Sequence, residues 1–303
     1  MIPLDTGFMP RIPLGRWAED GIDWISDNLD WLLAAIKVGL GSANDLLVGA
    51  LLAVPPLVMI ILLAFIAWAA RSWRMALGTV VALLLVMGLN QWDHAMETLG
   101  LVLIATVTAI ILAIPLGIWA ARSSTVSAIT RPILDFMQTM PAFVYLIPTI
   151  IFFSVGVVPG LVSTVIFALP PGVRLTELGI RQVDRETVEA GQAFGASPGQ
   201  ILRGIQLPLA VPSIMAGINQ VIMLALSMAV IAGMVGADGL GKEVVGALST
   251  INTPRGVEAG LSIVVLAIYL DRVTAALGAP ANHPRSLFRM ISAARAKRAA
   301  ASA

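Results

Sequence analysis

Apolar residues fill this chain in long unbroken stretches. They show neither the alternation of a half-buried strand nor the single stripe of a soluble helix. Seven stretches, at about 49–70, 75–90, 98–121, 136–156, 160–180, 209–235 and 256–278, are long enough, or nearly so, to cross the roughly 30 Å of hydrocarbon in a bilayer. The second is short, which tilt or local thinning of the bilayer accommodates. The pattern predicts an all-α fold, a polytopic bundle of about seven transmembrane helices. Composition agrees. Hydrophobic residues make up 58% of the 303 positions and charged ones 12%, against about 25% charge in soluble domains. A net charge of +1 gives no footing for nucleic acid, and with no cysteine both disulfides and Cys metal sites are excluded. The opening residues, MIPLDTGFMPRIPLG, lack the basic start and apolar core of a signal peptide.

Charge placement predicts orientation. Arg71 and Arg74 share one connection, and Arg122 and Arg131 another. Arg174, Arg181, Arg185 and Arg203 flank or lie within a third, and Arg285, Arg289, Arg295, Lys297 and Arg298 form the tail. With seven spans all four regions fall on one side. The opposite connections are nearly free of Lys and Arg, holding only Lys242 and Arg255 within 237–255. The positive-inside rule then puts the N-terminus outside and the C-terminus in the cytoplasm.

The first 45 or so residues differ from the rest. Trp17, Trp24 and Trp31 recur every seven residues beside Ile25, Leu32 and Ile36, while Asp20, Asp23, Asp27 and Asp30 fill the other face. This predicts an amphipathic helix, either in the membrane interface with its indoles at headgroup level or packed on the transporter body or a partner. Its acidic face disfavours the anionic inner leaflet and fits the outer surface.

The cytoplasmic segment 184–208 carries the densest signal. Asp184 is a good N-cap, Val188, Gly191 and Phe194 follow at helical spacing, and Gly195 suits a helix C′ position. Ser197 and Pro198 then start a second short helix, which Leu207-Pro208 is expected to end. The prediction is helix, bend, helix, with a knob of small residues at Ala190, Gly191 and Ala193. Glu189-Ala190-Gly191, three residues, Gly195, nine residues, then Ile205-x-Leu207-Pro208 resembles the EAA signature of membrane subunits of ABC importers. The resemblance implies that this segment is a coupling helix seated in a groove of an ATPase, with Glu189, Ala190, Gly191, Gly195, Ile205, Leu207 and Pro208 as its contacts or supports. Gly191 departs from the family's usual second Ala and loosens the helix by about 0.5–1 kcal/mol.

Other patterns carry less. Gly236-Ala237-Asp238-Gly239-Leu240-Gly241-Lys242 spells GxxxxGK, but Glu243 stands where a phosphate loop needs Ser or Thr, and the segment follows a spanning helix rather than a strand. The chain is expected to hold no nucleotide or other cofactor of its own, so that ATP and magnesium belong to a partner. His94 with Glu97 is too sparse for a metal, and His283 lies far from both. No spacing suggests a hydrolytic site, so the chain is not read as an enzyme.

Pro115, Pro141, Pro148 and the pair Pro170-Pro171 interrupt the spans. The carbonyls they free are tolerated in a membrane only against protein or water. Ser213, Gln220 and Ser227 recur at seven-residue spacing along one helix that also carries Asn219. They are candidates, with Tyr145 and Pro141, for the lining of a solute pathway. For each polar residue the competing role is hydrogen bonding between helices.

Met137 to Pro148 (MQTMPAFVYLIP), Ile166 to Pro171 (IFALPP) and Leu224 to Met228 (LALSM) resemble permeases of the glycine betaine/proline betaine importers. The likeness covers about 49–278. It implies an ABC importer permease core of five helices at 98–280, two accessory helices at 49–97, an extracytoplasmic segment at 1–48 and a basic cytoplasmic tail at 281–303. It also implies a bacterial inner membrane, a second copy of the chain, two ATPase subunits and an extracytoplasmic substrate-binding protein. The substrate expected from the resemblance is a betaine, choline or a related zwitterion or quaternary amine, and few charged clusters are expected within the spans. Two other classes are open. An ion-driven secondary transporter would need intramembrane acids, for which Asp135 and Glu177 are candidates. A pore-free anchor or signalling subunit would not need so many proline-broken spans.

Overall fold

A computed structural model describes residues 13–278, and the tail from Arg285, with His283, lies outside the described residues. Among the described residues every regular element is helical. The order is α1 (Leu14–Asn28), α2 (Asp30–Ala53), α3 (Pro56–Ala70), α4 (Trp73–Gly88), α5 (Trp92–Arg122), α6 (Ser124–Thr139), α7 (Leu146–Phe153), α8 (Val157–Arg181), α9 (Arg185–Ala193), α10 (Pro198–Ile201), α11 (Leu207–Ala232), α12 (Leu240–Thr250) and α13 (Thr253–Gly278).

Five helical stretches are long and apolar enough to cross a membrane, or six if α6 and α7, bent by 107° at Met140-Pro141, count as one broken span. The expected seven therefore shifts. The stretches near 49–70 and 75–90 form α3 and α4, of only 15 and 16 residues, while α2, expected as part of an amphipathic surface segment, is a 24-residue apolar helix running through position 48. The single amphipathic helix breaks at Leu29, because the polar face of α1 ends there and the sequence turns apolar from Trp31. Trp17, Trp24 and Trp31 all remain exposed.

The core is built by α5, α8, α11 and α13, and small residues set how closely these helices approach. A Cβ on Gly172 would fall 2.8 Å from Ala113 Cβ, and one on Gly117 2.5 Å from Thr176 Cβ, so α5 and α8 touch almost backbone to backbone. In a membrane, where apolar burial does not drive helices together, such close contact supplies the packing energy. Leu99, Val102, Leu161, Val221, Leu266 and neighbouring alanines fill the centre.

The bundle has two distinguishable ends. At one, α12 lies between α11 and α13; Leu240 N–H donates to Thr98 Oγ1 at 2.8 Å, and Glu243 accepts two hydrogen bonds from Arg255 at 2.7 and 2.8 Å. At the other end α8 runs into the α9–α10 hairpin. The glycines of the GxxxxGK segment serve the backbone. Gly236 and Gly239 take positive φ, at +88° and +114°, and a Cβ on Gly241 would collide with the Ala229 carbonyl, where Gly233 in turn packs against the Gly241 backbone.

Candidate functional site

The α9–α10 hairpin follows its sequence locally at nearly every step. The Asp184 carboxylate accepts from Glu186 N–H at 3.2 Å and caps α9. The helix closes with Gly195 N–H on the Gln192 carbonyl at 2.8 Å and Ala196 N–H on the Gly191 carbonyl at 3.1 Å. These are the paired bonds of a Schellman ending, which needs a left-handed residue; Gly195 supplies it at φ +79°. Ser197 and Gln200 then form a reciprocal capping box around Pro198.

The expected stop at Leu207-Pro208 does not occur. Residues Leu202–Gln206 form a π turn and the helix continues through Pro208 into α11. Proline has no N–H to give the carbonyl four residues back. The wider turn, with Leu207 N–H bonded to the Leu202 carbonyl, relieves that mismatch without breaking the helix. The second arm of the hairpin is thus rigidly continuous with a spanning helix.

Ile201 and Leu202 are buried, and Ile205 packs over Gly191. Glu189, Ala190 and Ala193 are exposed, as is Pro208, while Leu207 is half-buried. Phe194 is 93% exposed at the tip of the bend. The sequence reading placed Phe194 on the helical stripe but gave it no role. Its signal was a large aromatic immediately before the turn glycine, in a loop with no core of its own. Behind the hairpin a cavity of about 490 Å³ opens between Arg122 of α5, Ile180 of α8 and Val188, Gln192 and Ile201 of the hairpin.

The candidate pathway residues separate. Gln220 and Ser227 are exposed on α11 and Ser213 is half-buried against Gly179; Ser227 donates to the Met223 carbonyl of its own helix. Asn219 instead faces α13, donating to Asp271 at 2.9 Å and accepting from Thr274 at 2.7 Å. Tyr145 is buried, donating its hydroxyl to the Met137 carbonyl and standing edge-on to Phe167. Pro141 is exposed at the bend before α7.

Few charged clusters are expected within the spans, yet one forms where α6 meets α8, around Arg174, Glu177 and Arg181, which stand one turn apart along α8. Glu177 is 5% exposed. It accepts on Oε1 from Ser127 at 2.7 Å and from Arg131 at 3.2 Å, and it forms an ion pair with Arg181 Nε at 3.0 Å. Arg174 pairs with Asp135. Arg181 lies one turn from Glu177 on the same helix, but Ser127, Arg131 and Asp135 lie 39 to 50 residues from their partners, so only the tertiary fold completes the cluster.

Comparison with known proteins assigns this architecture. Residues 113–279 match the family described as "Binding-protein-dependent transport system inner membrane component". Solved structures of the inward-facing MetNI methionine ABC transporter share the fold, one with a TM-score of 0.56 and 22% identity over 62% of this chain and 94% of the other. The fold and the family match therefore define a multi-pass inner-membrane permease subunit of an ABC importer, a transport component and not an enzyme. The chain belongs to this family. It is 48% identical over 266 residues to the glycine betaine transport system permease protein OpuAB of Bacillus subtilis, covering 88% of this chain and 94% of that one. It is 46% identical over 275 residues to the glycine betaine/proline betaine permease ProW of Escherichia coli, covering 91% and 78%. The glycine betaine/carnitine permease GbuB of Listeria monocytogenes is 47% identical over 278 residues, covering 90% and 98%.

Proposed function

We propose that this chain forms the solute path of an importer for glycine betaine, proline betaine or a closely related small zwitterion, and that the α9–α10 hairpin couples it to a separate ATPase. The observation that carries the coupling role is the hairpin itself. It is exposed, doubly capped and continuous with α11, so force applied at Phe194 and Ala190 passes into a spanning helix rather than dissipating in a loop. The substrate class rests on the relatives, whose names cover glycine betaine, proline betaine and carnitine. All are small solutes with a quaternary ammonium and a carboxylate. Choline is the second reading; like the betaines it carries the quaternary ammonium, which aromatic faces hold.

One hairpin per chain and two ATPases per ABC transporter imply a homodimer of this chain, two ATPase subunits holding ATP and magnesium, and an extracytoplasmic binding protein that delivers the solute. Binding of ATP closes the ATPases, and the hairpins carry that closure into α8 and α11. The end bearing the hairpin and the arginines faces the cytoplasm, as does the C-terminus, and the N-terminal segment lies outside. A complete crossing by α2 would reverse the N-terminal side, but Lys37 and Asp45 within it disfavour one. An ion-driven mechanism would need an unpaired acid in the path, whereas Asp135 and Glu177 are both held by arginines. Uptake of labelled glycine betaine by vesicles holding this chain, its ATPase and its binding protein tests the proposal. Accumulation only with ATP supports it, and accumulation driven by an ion gradient without ATP overturns it.

A further inference from the structure

The charged cluster of α6 and α8 opens into a cavity of about 480 Å³ that also exposes Gln138, Pro171, Leu178 and Gln220. Three guanidinium groups, of Arg131, Arg174 and Arg181, face two carboxylates, of Asp135 and Glu177, across this space. One positive charge is left in excess. Arg174 is engaged by Asp135, and Arg181 is tied both to Glu177 and to the Ala120 carbonyl. Arg131 is different. Its side chain is 63% exposed and, among the described residues, makes one polar contact, of 3.2 Å to Glu177 through one nitrogen, and it lines the cavity. Gln220 of α11, the middle residue of the seven-residue polar stripe, also lines the cavity. A polar amide and five charged groups cannot rest against lipid tails, so this face borders water or a second copy of the chain.

Resting on the reading of the chain as a permease for small zwitterions, we propose that this cavity is a cytoplasmic exit vestibule that receives the carboxylate end of the solute, with Arg131 as the receiving group. A zwitterion with no net charge feels no net pull in a uniform field, whereas a local charge both orients it and draws in its nearer end. Arg131 meets the carboxylate with a bidentate fork, while the quaternary ammonium trails toward the apolar wall. Because Glu177 already engages Arg131 on one nitrogen, the carboxylate is held weakly and released. A vestibule must let its solute go.

The chain has no cysteine, so Leu178→Cys at the cavity rim gives a single reporter. In vesicles of neutral lipid containing the whole complex, the thiol is exposed from the cytoplasmic side to a negatively and to a positively charged thiosulfonate. Labelling by the anionic reagent, normalised to a free thiol, should be faster by roughly tenfold. Arg131→Gln should remove most of that preference and Arg131→Lys should keep it. Millimolar glycine betaine should slow labelling, whereas tetramethylammonium, which has the same cationic head and no carboxylate, should not. The proposal is overturned if the two reagents react alike, if tetramethylammonium protects as well as glycine betaine, or if only anionic lipid blocks the site, which would make a lipid phosphate its occupant. Uptake by the same vesicles separates the two levels: normal ATP-driven import without the labelling preference sinks the vestibule and leaves the permease.

Discussion

Gly191 and Ile205, fourteen positions apart, lie so close that a Cβ on Gly191 would fall 2.7 Å from Ile205 Cδ1. The two ends of the coupling signature therefore brace one another, and the glycine that departs from the family's usual alanine is the residue the isoleucine covers. The obstacle is the far end of a flexible side chain, so Gly191→Ala should be accommodated, helped by about 0.5–1 kcal/mol of helix propensity. Gly191→Leu cannot be, and should wedge the hairpin open at a cost of about 1–3 kcal/mol. Import by vesicles of the reconstituted complex should be near wild type for the alanine variant and down at least tenfold for leucine, with equal membrane abundance. Equal import by both variants would mean that the brace has no part in coupling.

The sequence made the hairpin legible because every device in it is local. Asp184, Gly195, Ser197 and Gln200 act on backbone groups within three residues of themselves. Spanning helices with long apolar runs, such as α5, α8, α11 and α13, were legible for the same reason. The continuation through Pro208 was not, since proline normally ends a helix and no local residue pattern announces the π turn at Leu202–Gln206 that accommodates it. The α2 boundary was missed because Asp30, Lys37 and Asp45 dilute its apolar signal. The arginine cluster was half visible: Glu177 stands one turn from Arg174 and Arg181 in sequence, but Ser127, Arg131 and Asp135 arrive only when α6 folds against α8.

Phe194 should be an anchor for the ATPase. A nearly fully exposed aromatic at the tip of a rigid turn contributes nothing to folding of this chain, yet it fits the profile of residues that dominate interfaces. Phe194→Ala should leave thermal unfolding of the purified chain unchanged. It should weaken assembly with the ATPase by about 2 kcal/mol or more, a loss of at least thirtyfold in affinity by titration. A folding defect in the variant, or unchanged affinity, would remove Phe194 from the interface.

At the opposite end, hydrogen bonds from Arg255 hold the Glu243 carboxyl below the usual carboxylate range, against the desolvation that would raise it. A lowered folded value means that the contribution to stability is present above the unfolded pKa, about 4.3, and is lost as pH falls through the folded one. Glu243→Gln should lower the Tm of the purified chain by a few degrees at pH 7, and the gap from wild type should close in acid below about pH 4. A gap that stayed constant across that range would show that the ion pair is not what fastens α12 to α13.

Orientation can be read with single cysteines in the cysteine-free chain. Impermeant thiol reagent added outside intact cells should label Ser26→Cys in α1 and Ser249→Cys in α12, and should reach Ser197→Cys in the hairpin only after permeabilisation. Labelling of Ser197→Cys from outside would invert the bundle. If Ser249→Cys were labelled from outside while Ser26→Cys needed permeabilisation, α2 would be a complete span and the N-terminus would be cytoplasmic.

Gly195 gives the most discriminating test of the coupling reading. It sits at φ +79° with no other group within 4 Å of where a Cβ would stand, so the constraint is backbone conformation and not space. An L-residue in this region costs about 1–2 kcal/mol, and a β-branched one more, while asparagine visits it with little penalty. Gly195→Asn should therefore keep the Schellman turn and near-normal import. Gly195→Val should push the turn out of the left-handed region, lose the Ala196 to Gly191 bond and swing Phe194 away from its docking position. The valine variant should reach the membrane in normal amounts, since no spanning helix is altered, but lose import and the stimulation of ATPase by loaded binding protein. If valine and asparagine behaved alike, whether both active or both dead, the geometry of this turn would not be what joins ATP hydrolysis to the spans.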